Sequence, residues 1–267
     1  MTHRVDAAWR EALLCRAQQA PLKARLPLLW QGRVFGSIEH AALEALDGVR
    51  GTGDRALLCR EGVAWTVHGD LDDGLRRLAL RLQTAGLAHV WRDELLRVCD
   101  LHGVPLASVE RAAVRVLGIA TRAVHLVGFD ARGHVWLQQR ALTKANDPGL
   151  WDTLMGGMVS AADTVETALV RETWEEAGLH TAGLQGMRYG GQLTTRRPST
   201  DGKGAGYVVE DIDWYVCTVP EGLVPDNQDG EVEQFRLMAA ADLVQALQRG
   251  EFTTEAALIF ADAMGLA

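Results

Sequence analysis

The sequence predicts an α/β chain in two parts, a smaller α+β unit followed by a larger α/β unit. Three observations lead there. Helix-period and strand-period stretches alternate over residues 1–117, the texture turns strand-like from Ile119 onward, and the stretch from Thr164 to Ala177 carries helix start and stop signals of its own. At 267 residues, 48% hydrophobic and 23% charged, the chain has a globular composition with room for one large or two modest domains.

Taken in order, "DAAWREALLCRAQQA" sets Ala8, Leu13, Leu14 and Ala17 near helical spacing, with Asp6 as N-cap and Pro21 beyond the end. "LPLLWQGRVFGSI" holds two apolar runs split by Gln31-Gly32, a hairpin, and "EHAALEALDG" reads as a helix ended by Gly48. "ALLCREGVAWTVHG" repeats the hairpin pattern around Glu61-Gly62. "DLDDGLRRLALRLQTAGL" and "WRDELLRVCDLHG" read as amphipathic helices, each closing on a glycine suited to a left-handed C-cap, and Pro105 to Leu117 as one more helix. A boundary between residues 115 and 120 then divides the chain into an N-terminal accessory or substrate domain, 1–117, and a second domain, 118–267. Strands follow at "ATRAVHLVGFD" and "HVWLQQRA", joined through Ala131-Arg132-Gly133, and at "LQGMRYGGQLTT", "YVVEDIDWYVCTV" and "VEQFRLM". Further helices fall at 164–177, 239–249 and 254–264.

Composition narrows the function. A net charge of −8 with no Lys/Arg run argues against nucleic acid, whose phosphate backbone is held by clustered cations. Cys15, Cys59, Cys99 and Cys217 lie far apart without a CxxC pair, which fits reduced thiols. The eight histidines show no metal-ligand spacing, and neither Ser160 nor Ser199 sits in a nucleophile elbow. The N-terminus carries charges throughout, with no signal-peptide pattern, and no apolar run is long enough to span a membrane, so a cytoplasmic protein is expected, monomeric or homodimeric.

The helix from Thr164 raises the chemical question. Asp163 or Thr164 is placed to cap it, Glu166 stands where a capping-box acid is expected, and Gly178 can end it in the left-handed region. Val165, Ala168 and Leu169 form an apolar strip, while Glu172, Glu175 and Glu176 recur at helical offsets on an adjoining face. Each like-charged pair costs about 0.2–0.5 kcal/mol, and acids near a C-terminus also oppose the macrodipole. A solvated acidic face, with Arg171 paired to Glu175, is the plain account. The upstream "LMGGMVSAAD" changes it, because a glycine pair lets the backbone approach the helix and offer a carbonyl oxygen. Carboxylates plus carbonyl oxygen suit Mg²⁺, which keeps waters and adds substrate phosphates.

Gly157, Asp163, Arg171-Glu172, Glu175-Glu176 and Gly178-Leu179, at their fixed spacing, closely resemble the signature of the Nudix hydrolases. Asp163 replaces the usual Glu and Thr173 the usual aliphatic residue; the former position mainly braces loop and helix, so a geometric adjustment is expected. The resemblance implies an α/β/α sandwich with a mixed sheet that cleaves a diphosphate linked to another group X, using Mg²⁺ or Mn²⁺. Carried over, Glu172 and Glu176 are the principal metal ligands, Glu175 a further ligand or base, Gly156 a carbonyl ligand, and Arg171 the residue that orients the glutamates.

Flanking sequence, "AVHLVGF", "WLQQRALTKANDPGLWDTLMGG" and "VPDNQDGEVEQFRLM", resembles a Nudix subgroup with an extra N-terminal domain. That subgroup is related to the Nudix part of thiamine pyrophosphokinase fusions and to plant and fungal enzymes acting on damaged thiamine diphosphate. The substrate implied is a thiamine-diphosphate-like small molecule, cleaved to the monophosphate and phosphate. Glu231 is a candidate ligand or base, with Glu233 competing, and both are equally readable as an exposed acidic turn. Gln138, Arg140 and Lys144 are candidates to meet phosphates, and Trp151 to stack on a flat ring. Trp30, Phe35 and Trp65 belong to core packing before they belong to a pocket wall. Three rivals stand beside this reading. They are an isopentenyl-diphosphate isomerase, disfavoured because "LQQRALTKANDPGLW" lacks a cysteine, a non-catalytic binding module, disfavoured by the retained glutamates, and hydrolysis of ADP-ribose, NADH or a nucleoside diphosphate derivative.

Overall fold

The computed structural model describes residues 7–46, 50–51, 57–88 and 90–266. Asp6, Gly48, His3 and His89 lie outside them.

The first helix, α1, runs Ala7–Ala17. The sequence places it in the first half, but Leu13 and Ala17 are buried in the core of the second sheet, and Trp9 Nε1 donates to the Leu247 carbonyl at 3.3 Å. Strands β1 (Arg25–Trp30) and β2 (Arg33–Glu39) form the expected antiparallel hairpin, followed by the short helix α2 (His40–Glu44). The strands β3 (Arg50–Gly51), β4 (Leu58–Glu61) and β5 (Ala64–Val67) complete a five-stranded sheet of order β2-β1-β5-β4-β3. Helix α3 (Leu71–Thr84) starts at Asp70, whose side chain accepts from the Asp73 N–H, and buries Leu71, Leu75, Leu78 and Leu82 against this sheet's core.

The two helices expected over 91–103 and 105–117 are a correction. The chain instead forms a two-stranded sheet, β6 (Leu95–Cys99) with β7 (Pro105–Glu110), and only Arg111–Val114 is helical, as α4. The burial explains why. Leu96 and Val98 are buried while Leu95 and Arg97 face solvent, the period of two that belongs to a strand. The supposed helix stop at Gly103 is a hairpin turn organised by Asp100, whose carboxylate accepts from the N–H groups of His102 and Val104.

The second sheet is seven-stranded and mixed. Its strands are β8 (Thr121–Phe129), β9 (Val135–Arg140), β10 (Trp151–Asp152), β11 (Met155–Met158), β12 (Gln185–Ser199), β13 (Gly206–Thr218) and β14 (Val232–Met238). The order is β10-β9-β8-β13-β12, with β8 parallel to β13, while β11 also pairs with β8 and β14 with β9. Alternate residues of β8 feed two cores. Val124 and Leu126 pack under α5 (Val165–Ala177). Ala123 and Val127 pack under α1, α6 (Ala240–Gln248) and α7 (Thr254–Ala263), so helices cover both faces.

Helix α5 is capped by Thr164. Its reciprocal partner is Thr167 rather than Glu166, because Thr167 is the third helical residue and its hydroxyl accepts from the Thr164 N–H at 2.8 Å. Thr164→Ala is expected to lower stability by about 1 kcal/mol, read as a shifted urea midpoint at unchanged slope. At the other end Gly178 takes φ 61°, and a Cβ there would meet the Asp226 carbonyl at 2.6 Å, so both conformation and space require glycine. The chain after β13 returns across this end, Asp226 N–H donating to Ala177 O and Gln228 N–H to Glu175 O.

Candidate active site

Strand β9 leaves β8 after two paired positions, and β11 takes its place along β8. That split brings the glycine pair to α5. Gly157 sits directly over Glu172, where a Cβ would lie 2.1 Å from the carboxyl carbon, and Gly156 sits over the ring of His125. The glycines are thus required by close approach of side chains.

Glu172 and Glu176 are buried, at 8% and 2% exposure, and both line a cavity of about 150 Å³. Arg171 anchors the acids. Its Nε and Nη2 donate to Asp163 Oδ2 at 3.0 and 2.8 Å, and its Nη1 donates to Glu172 Oε1 and Glu175 Oε2, both at 2.9 Å. The shorter Asp163 therefore still reaches Arg171, and it accepts from Ser160 and Thr167 as well. Thr173, buried at the position of the usual aliphatic residue, satisfies its hydroxyl by donating to Leu169 O at 2.5 Å. Glu176 Oε2 accepts from Gln138 Nε2 and from the Gly156 N–H, each at 2.9 Å. Lys144 Nζ is 3.7 Å from Glu176 Oε1 and bonded to Glu231 Oε2.

Burial and the neighbouring Glu176 push the Glu172 carboxyl up to about 8 despite Arg171. Glu176 is also raised, because burial outweighs Lys144, the Gly156 N–H and Gln138. At Glu231 the balance reverses: burial is outweighed by Lys144, Arg111 and Arg92, and the carboxyl is held below its ordinary range. Two buried acids whose charge the protein alone does not balance are what a cation would complete. Gln138 Oε1, buried without a hydrogen-bond partner, adds an unmet acceptor beside them. Among the described residues no three His, Cys, Asp or Glu side chains already form an ion cage. Two carboxylates with water and substrate phosphates nonetheless fit the coordination habit of Mg²⁺, and the all-oxygen donor set fits that ion or Mn²⁺.

Several expected residues stand elsewhere. Glu175 does not line the cavity; its carboxylate, 42% exposed, turns to Arg171. Gly156 reaches Glu176 through its N–H. Gln138, 1% exposed, does not line the cavity and positions Glu176 instead. Trp151 is a correction: its ring is buried in the core with Val135, Leu137 and Phe252, under Arg236, and offers no face to the cavity. Arg140 lines the cavity, donating to the Asn146 carbonyl and lying 3.7 Å from Asp152. Glu231 lines it and Glu233 is exposed, which separates the two. Phe35 is in the first core, with Trp30 and Trp65 packed against it.

Sequence reading missed His125. It lines the cavity, and its Nδ1 is 2.9 Å from Thr153 Oγ1, which donates its own hydrogen to Met155 O at 2.7 Å. The period-two pattern of β8 could have flagged a polar residue on a buried face. Gln138→Leu is expected to lower kcat/KM at least about tenfold with the fold intact, since outer partners of metal-binding carboxylates matter on that scale; steady-state kinetics with a folding control checks it.

A family model described as NUDIX domain matches residues 120–260. An uncharacterized protein of Saccharomyces cerevisiae is 26% identical over 208 residues, 72% of this chain and 59% of its own length. Nudix hydrolase 20, chloroplastic, of Arabidopsis thaliana is 31% identical over 165 residues, 60% of this chain and 43% of its own length. Isopentenyl-diphosphate Delta-isomerase 2 of Photorhabdus laumondii is 35% identical over 86 residues, 32% of this chain and 49% of its own length. The chain thus spans about half the length of the curated relatives it matches. Among solved structures, DR0079 from Deinococcus radiodurans has a TM-score of 0.49 at 19% identity, covering 62% of this chain and 97% of that one. No helix of the described residues is long and apolar enough to cross a membrane.

Proposed function

Because the chain belongs to the NUDIX domain family, we propose that it hydrolyses a diphosphate bond in a small molecule, and that the substrate is a thiamine-diphosphate-like compound, preferably an oxidised or damaged one. The observation that carries the hydrolase reading is the pair of buried carboxylates, Glu172 and Glu176, held side by side at the cavity by Arg171, Gln138 and the Gly156 N–H. The thiamine reading is supported by the resemblance of the segments flanking the box.

Glu172 and Glu176, with the Gly156 carbonyl as a further oxygen donor, would hold Mg²⁺ or Mn²⁺, and Glu175 would join them only by leaving Arg171. When bound, that ion neutralises diphosphate oxygens and lowers the pKa of a water. The chain's own residues do the rest. Arg171 keeps Glu172 in place and stays protonated, because Glu172, Asp163 and Glu175 outweigh its burial. Glu231, kept ionised by Lys144, offers a carboxylate oxygen to take a proton from the attacking water. Lys144 and Arg140 supply positive charge at the cavity wall for the phosphates.

The isomerase reading would require a cysteine facing the substrate. Cys217 is buried in the core beneath α5, and none of the four cysteines lines the cavity. A panel of thiamine diphosphate, its oxy and oxo analogues, ADP-ribose, NADH, dGTP and isopentenyl diphosphate, assayed with and without Mg²⁺, tests the assignment. Mg²⁺-dependent phosphate release greatest with the oxy and oxo analogues is expected. A nucleotide winning by about tenfold, or roughly 1.4 kcal/mol of transition-state binding, replaces the substrate. An allylic product without phosphate release replaces the reaction.

A further inference from the structure

Next to the cavity that holds the glutamates lies a smaller chamber of about 80 Å³, and Arg92, Arg111 and Arg115 line both. All three cations come from the first half of the chain. They are gathered by the hairpin that replaced the expected helices. Pairing of Leu95 with Glu110 brings Arg92, just before β6, and Arg111, at the start of α4, to one end of that sheet, and Arg115 follows α4. Glu110 tightens the corner, its Oε1 accepting from the Arg92 N–H at 2.9 Å.

Each guanidinium is steered by a carboxylate. Arg111 Nη1 donates to Glu94 Oε2 at 2.7 Å, Arg115 Nη1 donates to Asp201 Oδ2 at 2.8 Å, and Arg92 Nη1 lies 3.7 Å from Glu231 Oε1. A guanidinium has five N–H donors in a planar fork suited to phosphate oxygens, so one such pairing fixes its orientation and leaves donors for a ligand. Arg111 also feels the charges of Glu231 and Glu172, which together with Glu94 outweigh its burial and keep it protonated, so it sits within electrostatic reach of the acids. The other lysine and arginines of the main cavity are engaged as well: Lys144 with Glu231 and Glu176, Arg140 with the Asn146 carbonyl and Asp152, and Arg197 with Glu255. Besides the three arginines and the polar Asn146 and Asp201, the smaller chamber is lined by apolar side chains, among them Leu87, Val90, Ala112 and Val114. At 80 Å³ it is about half the volume of an apolar cavity that accepts benzene, so it takes at most one ring of an attached group, partly inserted, and not a base plus ribose.

We propose that the first half of the chain completes the substrate site: Arg92, Arg111 and Arg115 bind the diphosphate oxygens, and the chamber beside them receives one ring of the organic group that the diphosphate carries. This rests on the diphosphate reading above and adds the residues that select what the diphosphate is attached to.

The test is calorimetric binding of methylenediphosphonate, a diphosphate that cannot be hydrolysed, to the full chain in EDTA and in Mg²⁺. Wild type is expected to bind in EDTA, and Arg92→Ala and Arg115→Ala each to weaken binding about tenfold, the scale of one hydrogen bond to a charged group. The double variant is expected to weaken it about a hundredfold. Arg115→Lys keeps the ion pair with Asp201 and is expected to lose severalfold, which covers the case in which Arg115→Ala fails to fold by circular dichroism. No binding by wild type in EDTA, or equal affinity in wild type and the double variant, overturns the anion site. Ala112→Phe is expected to weaken the benzyl ester of the same probe about tenfold while leaving the bare probe unchanged. Equal loss for both probes, or none, overturns the chamber. A wild-type protein that binds the probe yet releases no phosphate from any organic diphosphate removes the hydrolase reading and leaves this one standing. Hydrolysis that survives in the double variant with unchanged KM does the reverse.

Discussion

Glu176→Gln is expected to cut Mg²⁺-dependent phosphate release by at least about a hundredfold, or roughly 2.7 kcal/mol in the barrier, without destabilising the metal-free protein. The carboxylate is buried, and both of its protein donors, Gln138 Nε2 and the Gly156 N–H, reach the same oxygen, Oε2. A glutamine can keep its carbonyl oxygen there, and its amide nitrogen then faces Lys144. Packing and hydrogen bonds survive while the charge is lost. Burial disfavours that charge in the unliganded protein, so neutralising it leaves the melting temperature unchanged or raised. Metal linkage separates the variant from a merely structural role. Wild type gains about 2.7 kcal/mol of stability at a Mg²⁺ concentration a hundred times its dissociation constant, and the variant gains much less at the same concentration. Equal phosphate release by the two proteins sinks the catalytic assignment of the acidic helix. Lost activity with an undiminished Mg²⁺ shift moves the metal elsewhere.

The acidic helix was legible in sequence because every signal that defines it is local. Thr164 and Gly178 mark its ends, Val165, Ala168 and Leu169 its buried strip, and the glutamate spacing its working face. The cap was misread by one position, since Thr167 and not Glu166 closes the box. Beyond the helix, what failed was long-range. Residues 95–99 carry leucine, valine and arginine in an order that fits either period, and only the core beneath β6 decides in favour of the strand. That single misreading hid three arginines, because a helix over 91–103 leaves Arg92 far from Arg111, while the hairpin brings them to one end. Gln138 and Trp151 were recognised as neighbours of the site, yet which way a strand residue faces depends on register. Gln138 turns inward to Glu176, and Trp151 turns into the opposite core. Glu231 was legible as an acid in a loop near the box. Its pairing with Lys144, across the return of the chain over the end of α5, was not.

Gly157→Ala is expected to abolish most activity, about a hundredfold or more in kcat/KM, at a cost of only about 1 kcal/mol in stability. A methyl group at this position would lie 2.1 Å from Glu172 Cδ and 2.3 and 2.5 Å from its oxygens, closer than atoms can stand. The obstacle is the far end of a flexible side chain, so the backbone of β11 need not move. Glu172 swings away instead. In doing so it leaves Arg171 Nη1 and the corner it shares with Glu176, which is the geometry metal binding requires. Loss of that one charge-assisted hydrogen bond, offset by better solvation of a carboxylate the buried site disfavours, keeps the stability change small. In a domain of this size about 1 kcal/mol corresponds to a fall of roughly 2–4 °C in Tm. Gly156→Ala is the control, because there the clash is with the rigid ring of His125, held by Thr153, and stability should fall further. If Gly157→Ala keeps wild-type activity, Glu172 is not needed where the structure places it. If it unfolds the protein, the glycine serves the backbone of β11 and not the approach of the glutamate.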